Sequence, residues 1–588
     1  MTVVLQRFRF PDDPAQAPLY VRPGGAGRCA AGRLTLPPGG AACLDSFRNA
    51  CVVGRNGWPA AVGEITCTLV LGGAATVRLL ARDDQGRERV LASRHVDDTG
   101  EAHTVSLTVA ADAVADGRLF PAIEAGRTGT VIVSGDYRCP VAPAPVRLAV
   151  VICTFRREEA LRANLRRLTA AWPAEAAEPM LFVADNGGSV SPDDLPPGCR
   201  LVPGPNLGGA GGFSRGMAAA LDRGATHIVL LDDDVALDTE SIARCQAFFQ
   251  CRPDGAAVAG VLLDPDRPTR VQEAGAWVSG TPSPLVVRLG GAGLDLDGPE
   301  ALDRLWRLPG PDYGGFWLLA FPARPARETG LLLPFFLKAD DVEFGLRLGR
   351  HGAPLTALSG VGLSHPPFTA AFSLAKRTYW VRNMLTVEAL DGTRSAGRVA
   401  RLLWREAVAE LRRLRYPQLA ALVFGVEGFL RGPKAVVGGD DATLARRLAR
   451  AGGRFDPPPG LRPPLLPPDA ATASPWPSLF GHLLPGARLP AAARPERPGG
   501  PVAPWQPAGY TVVDNGFTTT AYPLRRRLGL GLGLRAAWAL AGLAVRFGRL
   551  RRLWREHARE LASPEAWRRR AAPPRKNGPE ARPPAEES

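Results

Sequence analysis

No run of about 18 or more uncharged apolar residues occurs in this 588-residue chain, which predicts no membrane-spanning helix. Its N-terminus, MTVVLQRFRFPDD, lacks the apolar core of a secretory signal, so the sequence predicts a cytoplasmic protein. Nine cysteines are scattered from Cys29 to Cys251, none in a CxxC pair and none beside a histidine cluster at zinc spacing. They read as reduced, buried small residues rather than a disulfide framework or a zinc site. Two phosphate-binding fingerprints are also missing: no GxGxxG follows a strand, and no GxxxxGKS/T occurs. No recognised nucleic-acid-binding motif is present. The net charge of +15 therefore points to another anionic partner, a nucleotide or an anionic membrane surface.

What is present divides into three parts. A chain of this length exceeds one ordinary domain, and a hydrophobic content of 45% can fill sizeable cores. Residues 1–145 carry short strand-like runs at Ile65–Leu71, Ala75–Ala81, His103–Val109 and Thr130–Ser134, separated by Gly, Asp and Pro turns. That spacing predicts a β-sandwich or jelly roll. It holds no clustered catalytic residues, so it either binds carbohydrate or only packs.

Pro143 and Pro145 mark a boundary, and 146–372 alternates strands with helices. The organising stretch is THIVLLDDDV, Thr226 to Val235. Its short apolar run, Ile228–Leu231, predicts a strand buried on both faces, and ligands of open α/β sheets bind beyond the carboxyl ends of such strands. In extended chain Asp232 and Asp234 point to one side and Asp233 to the other. Paired carboxylates suit a hard divalent cation, Mg²⁺ or Mn²⁺, which can in turn hold a diphosphate. Strands at Leu148–Ile152 and Met180–Ala184 lead into TFRR and DNGG, and a glycine-rich loop, Asn206 to Gly216, opens a helix. Small residues there let backbone N–H groups approach phosphate, and Arg157 and Arg215 could add charge-assisted bonds.

Downstream, Tyr313, Phe316 and Trp317 beside two glycines read either as an aromatic platform for a sugar or as core. In PFFLKADDVEFGLR the spacing of Asp340 and Glu343 predicts a capping box with Asp340 as N-cap, leaving Asp341 in the first turn. An ionised carboxylate there can take a proton from a sugar hydroxyl. His365, held before two prolines, is a candidate third metal ligand.

The last part, 373–588, reads as mainly helical and basic. Helices are predicted at Arg377–Leu390 and Arg398–Leu414, a Pro-rich linker at 456–508, a hairpin around Asn515-Gly516, and a disordered tail from Ala571. Between Arg525 and Arg570 thirteen arginines face three glutamates, interleaved with Leu and Trp. Such a basic amphipathic stretch either lies on anionic lipid or packs within the protein or an oligomer.

The motifs TFRRE, ADNGG, NLGGAGGFSRG, LLDDDV, YGGFWLLAFP, FFLKADDVEFGLR and LSHPPF, in this order, resemble glycosyltransferase family 2, in particular its bacterial polymerising galactofuranosyltransferases. LDSFRNACVVGRNGW and REHARELASPEAWRR extend the likeness towards both ends. The resemblance implies a Rossmann-like α/β GT-A catalytic domain, an N-terminal β-sandwich domain and a C-terminal helical domain. It implies an inverting transfer of galactofuranose from UDP-galactofuranose to a polysaccharide or glycolipid acceptor, by a homo-oligomer at the inner face of the plasma membrane. Another UDP- or dTDP-sugar, or a non-catalytic carbohydrate-binding role, is the alternative. By the same resemblance Asp232, Asp234 and His365 are the Mg²⁺ or Mn²⁺ ligands and Asp341 is the base. Thr154, Arg157, Asp185, Asn206, Arg215, Asp232 and Asp233 surround the nucleotide. Tyr313, Phe316, Trp317 and Asp340 face the acceptor. Phe316-Trp317 departs from the usual Trp-Trp, and Gly314 from a frequent Asn.

Overall fold

Alternating burial organises the first 140 or so residues: in Glu64–Gly72 every second side chain from Ile65 to Leu71 is buried, and Ala75–Arg82 repeats the pattern. The structure, a computed structural model, describes residues 2–114, 116–170, 172, 177–252, 255–365, 373–435, 441–452, 512–514, 519–521 and 525–572. Strands patterned in this way build two antiparallel sheets. One runs Arg28–Ala30, Arg33–Leu36, Thr130–Cys139, Glu64–Gly72, Ala102–Ala110, with Val3–Arg7 also on Thr130–Cys139. The other runs Ala41–Cys43, Gly117–Ala125, Ala75–Arg82, Glu88–Val96, with Cys51–Val53 also on Gly117–Ala125. Leu34, Leu69, Val77 and Leu119 are fully buried in the core they share.

From Leu148 the buried runs become continuous, as a sheet covered on both faces requires. The sheet orders Arg200–Pro203, Met180–Asp185, Leu148–Thr154, His227–Asp232, Leu318–Pro322, Ala257–Ala259 and Leu355–Thr356. The first four strands are parallel, and Leu318–Pro322 is antiparallel to both its neighbours. Register pairs Thr154 with Asp185 and Cys153 with Asp232, so polar strand ends meet at one edge. The glycine-rich run is not a loop: Gly208–Asp222 is helix from its first glycine. Its glycines let the helix lie close on the sheet, since a Cβ at Gly216 would stand 2.2 Å from Val151 Cγ1 and one at Gly212 2.3 Å from Cys153 Sγ.

The motif LDSFRNACVVGRNGW joins the β-sheets to this α/β part. Buried Arg48 donates to Ser241 Oγ and Gly360 O at 2.9 Å, and Asn56 Nδ2 donates to Trp306 O at 3.0 Å. These residues thus pack the two parts together.

Helices Leu374–Leu390 and Ala396–Arg412 match the expected pair within a few residues. Tyr416–Leu430 was not predicted, because it is apolar on every side and carries no amphipathic period. Val512–Asp514 and Thr519–Ala521 pair antiparallel as a hairpin; Asn515-Gly516 and the 456–508 linker lie outside the described residues. The basic stretch forms Arg526–Leu561 and, after Ser563 caps a new start, Pro564–Ala571. Ala571 therefore closes a helix; the remainder of the expected tail, from 573, lies outside the described residues. Trp567 Nε1 donates to Leu332 O at 2.9 Å and docks this end on the α/β part.

Arg526–Leu561 also corrects the reading of apolar length. Counting runs without any charge misses it, yet by length and composition the helix is apolar enough to cross a membrane, with 33% of its most apolar window buried inside the protein. Arg535, which interrupts the apolar part, is paired with Glu427 at 2.6 Å.

Candidate active site

Two sheet edges bring the acidic groups together. Strand His227–Asp232 delivers Asp232 to the carboxyl edge of the main sheet. A small sheet of Val261–Leu263, Val271–Glu273 and Gly362–Ser364 delivers Glu273 and His365. The Ala236 N–H donates to Ser364 O at 2.8 Å, which ties the turn after the DDD run to the strand that ends before His365.

The three aspartates have three environments. Asp233 Oδ2 accepts from the Thr154 hydroxyl at 2.7 Å and Oδ1 from Arg157 at 3.3 Å, and Asn164 Nδ2 donates to its carbonyl at 2.9 Å. Asp234 accepts from the Arg157 guanidinium, and its Oδ1 stands 3.2 Å from His365 Nε2. Burial would raise the Asp234 pKa, but His365 and Arg157 outweigh it and hold the carboxyl below its usual range. At Asp232 burial, then Asp234 and Asp233, outweigh the opposing pull of His365 and Arg157 and push it up to about 7. Asp232, Asp234 and His365 were expected as one ligand set. Among the described residues no three His, Cys, Asp or Glu side chains come together closely enough to hold an ion. Asp234 is instead contacted by the Arg157 guanidinium and the His365 ring. Chemically the residues fit a hard cation: Asp232, raised by desolvation and then by its like-charged neighbours, is in reach of a second carboxylate, Asp234, that an imidazole contacts.

Asp340 and Asp341 stand opposite. Asp340 is not the N-cap: Ala339, at φ +62°, holds that place, and its carbonyl accepts the Glu343 N–H at 3.1 Å. Glu343 does not close a capping box but pairs with Arg347 at 2.9 Å. Asp340, inside the helix, lies near the start of the glycine-rich helix, where a Cβ at Gly209 would be 3.8 Å from Asp340 Oδ2. Leu207 at that helix start makes no side-chain cap, and its amides are held within the protein: the Gly208 N–H donates to Asn206 Oδ1 at 3.0 Å and the Ala210 N–H to Phe336 O at 3.3 Å. Burial raises both carboxyls of the pair, while Lys338 pulls Asp341 down.

Sequence reasoning missed Glu273. It is buried, its Oε1 has no hydrogen-bond partner among the described residues, and burial and then Asp341 push it up to about 8. It also adds to the raised pKa of Tyr313, whose main cause is burial. The one sequence signal was an acid inside the apolar stretch VQEAGAW.

Three of the expected nucleotide-side residues make hydrogen bonds within the protein. The Asp185 carboxylate accepts the N–H groups of Gly187, Gly188, Ser189 and Val190 at 2.7, 3.1, 2.9 and 3.0 Å, which orders its own loop. Asn206 Oδ1 accepts from Gly208 at 3.0 Å. Arg215 donates to Asn186 Oδ1 at 2.6 Å and to Pro205 O at 3.1 Å. The aromatic platform is not formed: Phe316 packs edge-on against Phe213 at 5.3 Å in one core cluster, while Trp317 belongs to another. Both residues lie in the turn that precedes strand Leu318–Pro322, and that turn sends the two rings into different clusters. Tyr313 is buried too, between Glu273 and Asp341 in electrostatic reach of both.

No family model matches the chain. Over 330 residues it is 29% identical to galactofuranosyltransferase GlfT2 of Mycobacterium tuberculosis, covering 52% of this chain and 52% of that protein. Over 331 residues it is 29% identical to galactofuranosyltransferase GlfT2 of Mycolicibacterium smegmatis, covering 52% and 51%. Among solved structures, mannosyltransferase PcManGT from Pyrobaculum calidifontis, in complex with GDP-Man and Mn²⁺, matches at 16% identity over 53% of this chain and 83% of that chain, with a TM-score of 0.30. The chain is thus a relative of glycosyltransferases, as its ordered motifs imply. The curated relatives it matches are both named galactofuranosyltransferase, and the chain spans about half their length.

Proposed function

We propose that this chain is an inverting, metal-dependent family 2 glycosyltransferase of GT-A type that moves galactofuranose from UDP-galactofuranose to a hydroxyl of a growing, lipid-linked polysaccharide. One observation carries the reading: Asp340 lies beside the start of the glycine-rich helix and within electrostatic reach of Asp232, so the Asp340–Asp341 pair and the strand-end aspartates belong to one site. That combines a nucleotide-side acidic set with a separate carboxylate for proton transfer. Thr154, Arg157 and Asp233 line the donor side. Asp185, Asn206 and Arg215 shape it through their own loops.

Asp341 takes the proton of the acceptor hydroxyl. The freed oxygen pair forms the new bond to the anomeric carbon as the bond to the diphosphate oxygen breaks, and UDP leaves with that electron pair. Attack opposite the leaving group inverts the centre without a covalent sugar–enzyme intermediate. Glu273, neutral below its raised pKa, can donate to a sugar oxygen next to Asp341. Asp232, Asp234 and His365 would hold Mg²⁺ or Mn²⁺, whose charge would stabilise the departing diphosphate.

The acceptor reading fits an exposed stripe on the long C-terminal helix. Leu534, Trp538 and Val545 are 72%, 83% and 84% exposed amid arginines, a surface suited to an anionic membrane at the cytoplasmic face. A homo-oligomer contact would use the same stripe. The test is a panel of UDP- and dTDP-sugars offered with a galactofuranosyl acceptor and read by mass spectrometry. Product from UDP-galactofuranose alone supports the reading; product only from another donor, or none, overturns it.

A further inference from the structure

The segment leading to the Asp340–Asp341 pair is held in a strained course. Phe336, Lys338 and Ala339 lie at φ +70°, +69° and +62°, the left-handed region that residues with a Cβ rarely adopt. Such a course persists only where its surroundings enforce it. Here the enforcement comes from the helix Leu374–Leu390.

Asn383 on that helix is fully buried. Its Nδ2 donates to Leu337 O at 2.9 Å and Lys338 O at 2.7 Å, and reaches Phe335 O at 3.3 Å. Its Oδ1 accepts from Arg382 Nε at 2.8 Å, and Arg382 in turn donates to Phe335 O at 2.6 Å. One turn earlier Tyr379 packs its ring 5.3 Å from that of Phe336. On the far side, Phe336 O accepts the Ala210 N–H at 3.3 Å and presses on Gly208, where a Cβ would stand 2.0 Å away. The strained segment is therefore clamped between the glycine-rich helix start and one face of the C-terminal helices. Every carbonyl that Asn383 reaches belongs to it.

We propose that Asn383, supported by Arg382, is a positioning residue for sugar transfer: it holds residues 335–339 in the course that aims Asp341 at the donor side. The proposal rests on the reading of Asp341 as base. A merely structural asparagine would stabilise the helical core, and its loss would loosen that core as a whole. A positioning asparagine acts through the segment alone.

The experiment uses the full-length protein with Asn383→Asp, which keeps the volume but loses the amide donors, and Asn383→Gln, which keeps the donors on a longer arm. Amide hydrogen exchange and kinetics with UDP-galactofuranose are read side by side. Expected is faster exchange confined to residues 335–342 in Asn383→Asp, with the Tyr416–Leu430 helix unchanged. A fall in kcat of ~10²-fold is expected, the scale of a 1 Å misplacement, with donor KM within about threefold and partial rescue in Asn383→Gln. Exchange unchanged at 335–342, or raised across the whole helical core, overturns the proposal. So does an unchanged kcat in an active enzyme. A wild type that transfers nothing counts against Asp341 as base, and the exchange pattern alone then decides whether Asn383 holds the segment.

Discussion

The Thr154 hydroxyl donates to Asp233 Oδ2 at 2.7 Å, across the two central strands of the sheet. That bond and Arg157 commit the middle aspartate to the protein. Asp234 is shared between Arg157 and His365, and Asp232 is left as a buried carboxyl with a raised pKa. On the proposed function, Asp232 and Asp234 carry the donor-side chemistry and Asp233 holds the donor-side loop in place.

Asp232→Ala and Asp234→Ala should each remove metal-stimulated transfer, by more than ~10²-fold, and leave the thermal unfolding midpoint close to wild type. Thr154→Val should instead cost on the order of 1–3 kcal/mol of stability by stranding a buried acceptor. Initial rates against Mg²⁺ and Mn²⁺ concentration, with unfolding scans, check both. Near-normal metal-dependent rates in either alanine variant would remove the ligand assignment.

A base must be ionised to act, and burial raises the carboxyls of the Asp340–Asp341 pair. Transfer should therefore fall as pH drops through an apparent pKa above the usual carboxylate range. Lys338 pulls Asp341 down, so Lys338→Met should move that acid limb to higher pH. The pH profile of kcat/KM reads this directly; a limb that stays put, or moves down, would separate Lys338 from the base.

Glu273 links the site to stability. Its pKa is raised from 4.5 to about 8 in the fold, so the folded protein holds a proton that the unfolded chain releases. Stability is unaffected by this group below pH 4.5 and is lost progressively as pH rises from there to about 8. Glu273→Gln removes the loss, so its unfolding midpoint should gain on wild type as pH rises. Midpoints at pH 5 and pH 9 test it, and a constant difference between the two proteins would show that Glu273 is ionised at both.

Three of the seven strands of the main sheet were legible, since Leu148–Thr154, Met180–Asp185 and His227–Asp232 are continuous apolar runs ending in polar residues. The paired strand ends followed from that pattern. What was not legible depends on backbone the sequence does not advertise. Three left-handed residues without glycine precede Asp340 and displace the cap to Ala339. The glycines of Gly208–Asp222 look like a phosphate loop but serve close packing inside a helix. Phe316-Trp317 looks like a sugar platform, and the turn before strand Leu318–Pro322 sends the rings into two different cores. Glu273 and Asn383 reach the site from distant elements, which no local spacing reveals.

Replacing Leu534 and Trp538 together by serine should reduce sedimentation with anionic liposomes at low salt, since both side chains are largely exposed. High salt should weaken the binding that remains. Equal sedimentation of variant and wild type would move membrane contact away from this helix, and a change in native mass instead would assign the stripe to self-association.

The most direct measurement compares wild type with Asp341→Asn, using UDP-galactofuranose and a short galactofuranosyl acceptor, with products read by mass spectrometry and UDP affinity by calorimetry. The account predicts successive single-hexose additions by wild type, a ~10²–10⁴-fold slower rate in Asp341→Asn, and equal UDP affinity in both. Absence of hexose addition by the wild type, or an equal rate in the variant, would contradict it.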